Sequence, residues 1–184
     1  MSKLSGIRVV DLSLFLPGPM MTSMLADHGA EIIKIEPPGG DPARQMEPFE
    51  EGQSVWFRNI NRGKQSVVLD LKQKDNLQKL YGLVEESDIF VEAFRPGVAN
   101  RLEIDYETLS AINPRIIYCS ISAFGQDGPL AHHPAHDLAV EAFAGFMSVN
   151  DKGDGEPVVP AFPAADASAS LVALSGILMA LIGQ

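Results

Sequence analysis

The chain has 184 residues, of which 46% are hydrophobic and 21% charged, with a net charge of −10. That length supports one domain with a sizeable core, and the acidic balance argues against duplex nucleic acid or an anionic membrane as a partner. The single cysteine, Cys119, excludes an internal disulfide framework and fits a reducing cytoplasm.

In chain order, strands and helices alternate. IRVVDL (7–12) reads as a buried strand, and GPMMTSMLADHG (18–29) as a helix with proline early and glycine at its end. EIIKIE (31–36) is a second strand that stops at PPGGD. SVVLDL (66–71) is a third. KDNLQKLYGLVEES (74–87) places apolar residues at 77, 80, 83 and 84, which is helical spacing. DIFVEAF (88–94) is a fourth strand, YETLSAI (106–112) a short helix and RIIYCSISAF (115–124) a fifth strand. DLAVEAFAGFMSV (137–149) and ASASLVALSGILMALIG (167–183) read as two late helices. This alternation predicts an α/β fold: a Rossmann-like, open, mostly parallel sheet with helices on both faces, in a single domain spanning 1–184. The loops at 37–53 and 150–163 are too long for plain connectors and are expected to border a site or an interface. VVDLSLFLPGPMM is broken by Asp11, Pro17 and Pro19 and makes a poor signal peptide. The longest apolar stretch, 171–182, is shorter than a bilayer span and is expected as a buried helix.

Ligands of such sheets bind at the carboxyl ends of the strands. Those ends carry SLFLPGP, EPPGGDPAR, DLK, EAFRPG and SAFGQDGP. No GxGxxG follows the first strand and no GxxxxGK[ST] occurs, which argues against nicotinamide and nucleoside-triphosphate fingerprints. The cations near these ends are Arg44, Arg62, Lys64, Lys72, Arg95 and Arg101, and several converging could hold phosphates. HHPAHD (132–137) contains three of the four histidines. Pro134 prevents a helix from aligning His132 with His136, and the spacing matches no zinc pattern, so no metal is expected. His132 and His133 read as solvated loop residues, and Asp137 as a helix cap or a partner of His136. By residue type alone, Asp166 in FPAADASAS reads as a helix N-cap.

The segment LSGIRVVDLSLFLPGPMMTSMLADHGAEIIKIEPPGGDPAR resembles the amino-terminal signature of the class III CoA-transferase family, which includes formyl-CoA transferase, carnitine CoA-transferase and α-methylacyl-CoA racemase. NINRGKQSVVLDLK, EAFRPGVANRL, INPRIIYCSISAFGQDGP and HDLAVEAFAG continue the resemblance in the family's order, from about Leu4 to Gly183. It reaches only the first half of the family's length. The resemblance implies a CoA thioester site formed by Leu16, Pro17, Leu69, Asp70, Leu71, Lys72, Ala93, Phe94, Arg95, Arg101, Ala135 and Asp137, with Lys72 and Arg101 as phosphate partners. Two positions depart from it. Leu16-Pro17 stands where relatives often have Gln-Ala, and Pro37 where some transferases have a cation.

The resemblance places Asp166 at the family's catalytic carboxylate and implies three readings. In a transferase, Asp166 attacks the donor thioester and carries the CoA onward as an enzyme thioester. In a racemase, His136 and Asp166 form the acid/base pair that moves the α-proton of a 2-methylacyl-CoA. In a truncated product, the domain binds CoA without catalysis. The resemblance further implies acyl-CoA and carboxylic acid substrates, no permanently bound cofactor and the interlocked homodimer of full-length relatives, while the acidic charge leaves no nucleic acid or membrane partner expected and the lone cysteine implies a cytoplasmic setting.

Overall fold

A computed structural model of the chain describes residues 2–150, 153 and 155–184. Its centre is a sheet of five parallel strands: β1 (Arg8–Asp11), β2 (Glu31–Glu36), β5 (Lys64–Val68), β6 (Ile89–Glu92) and β7 (Ile117–Ser120). They lie in the order β5-β2-β1-β6-β7. The chain builds outward from β1 to one edge, then returns past β1 to build the other half. That reversal opens a crevice between the carboxyl ends of β1 and β6, where ligands of open α/β sheets bind. The expected fold is therefore observed.

Apolar spacing decides the layers. From α1 (Pro17–Asp27), Met21 and Leu25 pack on Val9, Ile32, Ile89 and Val91. From α3 (Lys74–Glu85), Leu77, Leu80 and Val84 cover the opposite face, over Val10, Ile33 and Phe90. Leu109 of α5 (Tyr106–Ile112) joins that second layer. The short helix α4 (Val98–Arg101) follows β6, and a four-residue 3-10 turn, Pro42–Gln45, lies beyond β2.

Four differences from the sequence reading have physical causes. The third strand starts at Lys64 and ends at Val68. It is an edge strand with Val67 and Val68 exposed, so helices do not cover both faces throughout. The loop expected at 37–53 contains a small hairpin, β3 (Phe49–Glu50) with β4 (Gln53–Ser54), followed by α2 (Val55–Ile60). The helix expected at 137–149 is α6 (Asp137–Phe143). It stops before Gly145, whose φ of 75° leaves helical space, and a 3-10 turn, Phe146–Asn150, follows. The last helix, α7 (Ala164–Gly183), begins three residues earlier than expected and is not buried along its length. Ala167, Ser170 and Ile177 face inward, while Leu171, Val172, Met179 and Ile182 are exposed. By length and composition alone it could cross a membrane. The loop at 150–163 includes residues 151, 152 and 154, which lie outside the described residues.

A buried charge network ties the sheet to the β1–α1 loop. Asp11 and Lys34 are register partners on β1 and β2, and both are almost fully buried. Asp11 accepts hydrogen bonds from the Ser13 N–H (2.9 Å), the Ser13 hydroxyl and the Thr22 hydroxyl (2.5 Å), and pairs with Lys64 at 3.1 Å. Lys34 donates to the Ser13 carbonyl at 2.7 Å and pairs with Asp41 at 2.9 Å. Burial would push the Asp11 carboxyl up; Lys64, Lys34 and the two hydroxyls outweigh it and hold the carboxyl below its ordinary range. Gly18 belongs to the same knot, because an added Cβ would overlap the Ser13 side chain.

Asp11→Ala leaves the buried Lys64 ammonium without its ion-pair partner and Lys34 with Asp41 alone. Chemical denaturation should show a loss of about 3–5 kcal/mol, the usual penalty for breaking a buried pair from one side. A loss under ~1 kcal/mol would show the network to be incidental.

Candidate active site

The β1–α1 loop is the seam of the site. Its residues Leu12 and Leu14 wall a cavity of about 170 Å³ at the carboxyl ends of the strands. Pro37 and Pro38 after β2, Leu69 to Lys72 after β5, and Phe94 and Leu102 after β6 complete most of the lining. Five residues named from the sequence (Leu69, Asp70, Leu71, Lys72 and Phe94) therefore share one largely apolar hollow. Ala93 and the exposed Arg95 flank Phe94, and Arg101 immediately precedes Leu102.

The cations at these strand ends divide into two sets. Arg44 is held by Glu36, Arg62 by Asp27 and Lys64 by Asp11. Burial would raise the Glu36 carboxyl, but the Arg44 and Ser66 hydrogen bonds and the Asp41 N–H outweigh it and bring it down to about 2. Arg44 is thus a structural cation. Among the described residues, no ion pair engages Lys72, Arg95 or Arg101. Lys72 lines the cavity, and Arg95 and Arg101 adjoin its lining residues Phe94 and Leu102 in the chain.

The other side of the seam carries the carboxylate cluster. Phe15 has a φ of 59°, an uncommon conformation for a bulky residue, and its ring meets the His136 ring edge-on with centroids 5.8 Å apart. Its N–H points to Asp41 at 3.4 Å. Leu16 is buried with Ala43 and Ile60 rather than lining the cavity. Pro17 opens α1, and its carbonyl accepts a hydrogen bond from Ser170 of α7 at 2.7 Å. One six-residue stretch, Leu12 to Pro17, thereby joins the cavity to the start of the helix that bears Asp166.

Asp166 is not the N-cap that its residue type suggests. The helix starts at Ala164, and Asp166 lies in its first turn. The Asp166 N–H donates to Asp137 Oδ1 at 2.9 Å. Asp137 thus caps a neighbouring helix, and it is neither the cap of its own helix nor shown bonded to His136. His136 is the residue before α6 and is exposed, while Ala135 precedes it in the loop. His132 and His133 lie exposed in the same loop. Among the described residues, no group of three His, Cys, Asp or Glu is placed to hold a metal. Burial and the neighbouring Asp137 charge push the Asp166 carboxyl up to about 6; His136 opposes this and Glu141 adds to it. Cys119 is no competing nucleophile, because burial, with the charges of Glu92 and Asp11, pushes its thiol up to about 11.

Sequence reasoning missed Glu141. It is 2% exposed, and its Oε1 accepts the Ala164 N–H at 2.6 Å. The available signal was its place four residues after Asp137, on the same face of α6.

A pattern derived from CoA-transferase family III matches residues 4–184. The chain belongs to this family. It is 48% identical over 153 residues to the acetyl-CoA:oxalate CoA-transferase of Acetobacter aceti, an overlap covering 83% of this chain and 39% of that one. It is 40% identical over 187 residues to the succinate–glutarate CoA-transferase of Agrobacterium fabrum, covering 97% of this chain and 47% of that one. The crystal structure of a CAIB/BAIF family protein from Brucella suis superposes with a TM-score of 0.94 at 36% identity, covering 98% of this chain and 49% of that one. This family III chain spans less than half the length of the two curated relatives.

The raised Asp166 carboxyl makes a stability prediction. Between its ordinary value near 3.8 and about 6, the folded state binds more protons at this position than the unfolded state. Its contribution therefore falls as pH rises through that window. Asp166→Asn should stabilise the fold by ~1 kcal/mol at pH 7.5, after allowance for solvent screening, and by little at pH 3.5. Thermal melts at the two pH values measure the difference; equal shifts would overturn the assignment.

Proposed function

We propose that this chain is the CoA-binding, nucleophile-bearing part of an enzyme that moves CoA between carboxylic acids. The observation that carries the reading is a single loop that walls an apolar cavity lined by Lys72, with Arg95 and Arg101 adjoining its lining residues Phe94 and Leu102 in the chain, and that also meets the helix bearing Asp166. An acyl-CoA would lay its phosphates against these cations and its pantetheine arm in the cavity, with the thioester beside Asp166.

The chemistry is carboxylate nucleophilic catalysis. An Asp166 carboxylate oxygen attacks the thioester carbonyl, the C–S bond breaks, and a mixed anhydride and CoA thiolate form. The thiolate then attacks the Asp166 carbonyl of the anhydride, releasing the donor as a free carboxylate and leaving an aspartyl-CoA thioester. The acceptor carboxylate attacks that thioester, giving a second anhydride and thiolate. Thiolate attack on the acceptor's carbonyl releases the new acyl-CoA and restores Asp166. Above a pH of about 6 the carboxyl is ionised and ready for the first step. Capture of its N–H by Asp137 holds its backbone in place. The named relatives support small carboxylates, such as oxalate, succinate and glutarate, as acceptors to try first.

A second reading draws on His136, whose charge acts on Asp166. Histidine titrates near neutrality and suits α-proton exchange in a 2-methylacyl-CoA. A homodimer belongs to the same proposal, supported by the exposed Leu171, Val172, Met179 and Ile182 of α7.

The test is to incubate the protein with acetyl-CoA and oxalate, quench, and analyse the peptide containing Asp166 by mass spectrometry. A CoA adduct on that peptide, lost in Asp166→Ala, together with oxalyl-CoA formation, supports the transferase. Solvent deuterium entering the α-position of a 2-methylacyl-CoA, dependent on His136 and Asp166, would replace it with the racemase. CoA binding with neither reaction would leave a binding unit.

Lys72→Ala and Arg101→Ala should each weaken CoA binding by roughly 5–10-fold at low ionic strength, and by less as salt rises. Isothermal titration calorimetry checks this, and an Arg44→Ala variant serves as a contrast. Equal losses for all three would remove the distinction between free and structural cations.

A further inference from the structure

Helix α6 is built inside out. Its apolar residues Leu138 and Phe143 are 43% and 69% exposed, while the carboxylate Glu141 is 2% exposed. A helix ordinarily buries its apolar stripe and solvates its acids. Burying a carboxylate without a cation is unfavourable, and among the described residues no cation pairs with this one. Oε1 is occupied by the Ala164 N–H at 2.6 Å, but Oε2 is buried and, among the described residues, has no hydrogen-bond partner.

The geometry explains what the arrangement achieves. The first turn of α7 has N–H groups with no intrahelical acceptor. Two of them, at Ala164 and Asp166, donate to Glu141 and Asp137. Those two acids are four residues apart, so they project from one face of α6 as a pair of acceptors. Pro163, the residue before α7, makes no side-chain cap bond, so α6 supplies what the local sequence does not.

We propose that Glu141 is a positioning residue for Asp166: one oxygen pins the first turn of α7, and the other, kept unpaired in the interior, brings its charge to bear on the Asp166 carboxyl. This inference rests on reading Asp166 as the nucleophile, but its measurement does not require turnover. The charged groups that act on Asp166 are Asp137 and Glu141 of α6 and His136, the residue before it. On its own helix, Ser170 donates to the Asp166 and Pro17 carbonyls and carries no charge. Asp137 and Glu141 both disfavour ionisation of Asp166, and His136 favours it. Removing the Glu141 charge while keeping its acceptor therefore separates the two roles.

The experiment is a carboxyl-carbon NMR titration of protein labelled with ¹³C-aspartate, the Asp166 signal being the one lost in Asp166→Asn. Amide hydrogen exchange is followed at Ala164. Glu141→Gln retains a carbonyl for the Ala164 N–H and should leave exchange there unchanged. The Asp166 midpoint, near 6 in the unaltered protein, should fall. Glu141→Ala should give a similar fall and also speed Ala164 exchange by tenfold or more. A midpoint unmoved by Glu141→Gln overturns the charge role, and unaltered Ala164 exchange in Glu141→Ala overturns the pinning role. If turnover is observed, the acid limb of its pH profile should move with the NMR midpoint in Glu141→Gln. A shifted midpoint with no CoA transfer in any variant would refute the transferase reading and leave the positioning of Asp166 intact.

Discussion

The buried Asp11–Lys64 and Lys34–Asp41 pairs hold the arrangement on which the site depends. Charges in an interior are expensive unless paired and hydrogen-bonded, and here every member has partners of both kinds nearby. Such pairs are weak evidence for stability as such. Their consequence is geometric: they reach the backbone of the β1–α1 loop at the Ser13 N–H and carbonyl, and at the Phe15 N–H, and leave it one path to follow. A loop with Phe15 at positive φ needs that kind of external constraint.

From that loop the two halves of the site diverge. Leu12 and Leu14 face the cavity that opens beside the β1–β6 crevice, on the side covered by α3 and α5. Phe15 meets His136, and Pro17 meets Ser170, on the side covered by α1 and α7. The loop thus passes from one layer of the sheet to the other at the sheet's carboxyl edge. The same edge sorts the cations: those near the network, Lys64 and Arg44, are neutralised by carboxylates, and among the described residues no ion pair engages Lys72, Arg95 or Arg101.

Much of this was legible in the residues. β2 and α5 fall where periodicity and composition place them, at Glu31–Glu36 and Tyr106–Ile112, because each is a continuous apolar or amphipathic run bounded by turn residues. The free cations Lys72 and Arg101 and the carboxylate Asp166 were named from a resemblance, and the fold brings Lys72 to the cavity and Asp166 to the seam. What was misread shares one cause. β5 was displaced because its exposed edge carries Val67 and Val68, which on composition alone read as interior. By residue type Asp166 reads as the cap of its own helix and Asp137 as a cap or a partner of His136, yet Asp137 caps the helix of Asp166. Glu141 escaped notice because an acid in a helix is normally solvated, and only packing against α7 buries it.

The sequence by itself determined the alternation of strands and helices, the parallel sheet that follows from it, the family, and which ionisable residues exist near the strand ends. Those are consequences of local patterning and of side-chain chemistry. Tertiary structure alone decided which charges neutralise one another, which stay outside ion pairs among the described residues, and which carboxylate is pushed towards neutral pH. The reason is that desolvation and ion pairing act over a few ångströms in space between residues far apart in the chain, such as Asp11 with Lys64 and Asp137 with Asp166, and no local pattern encodes those distances.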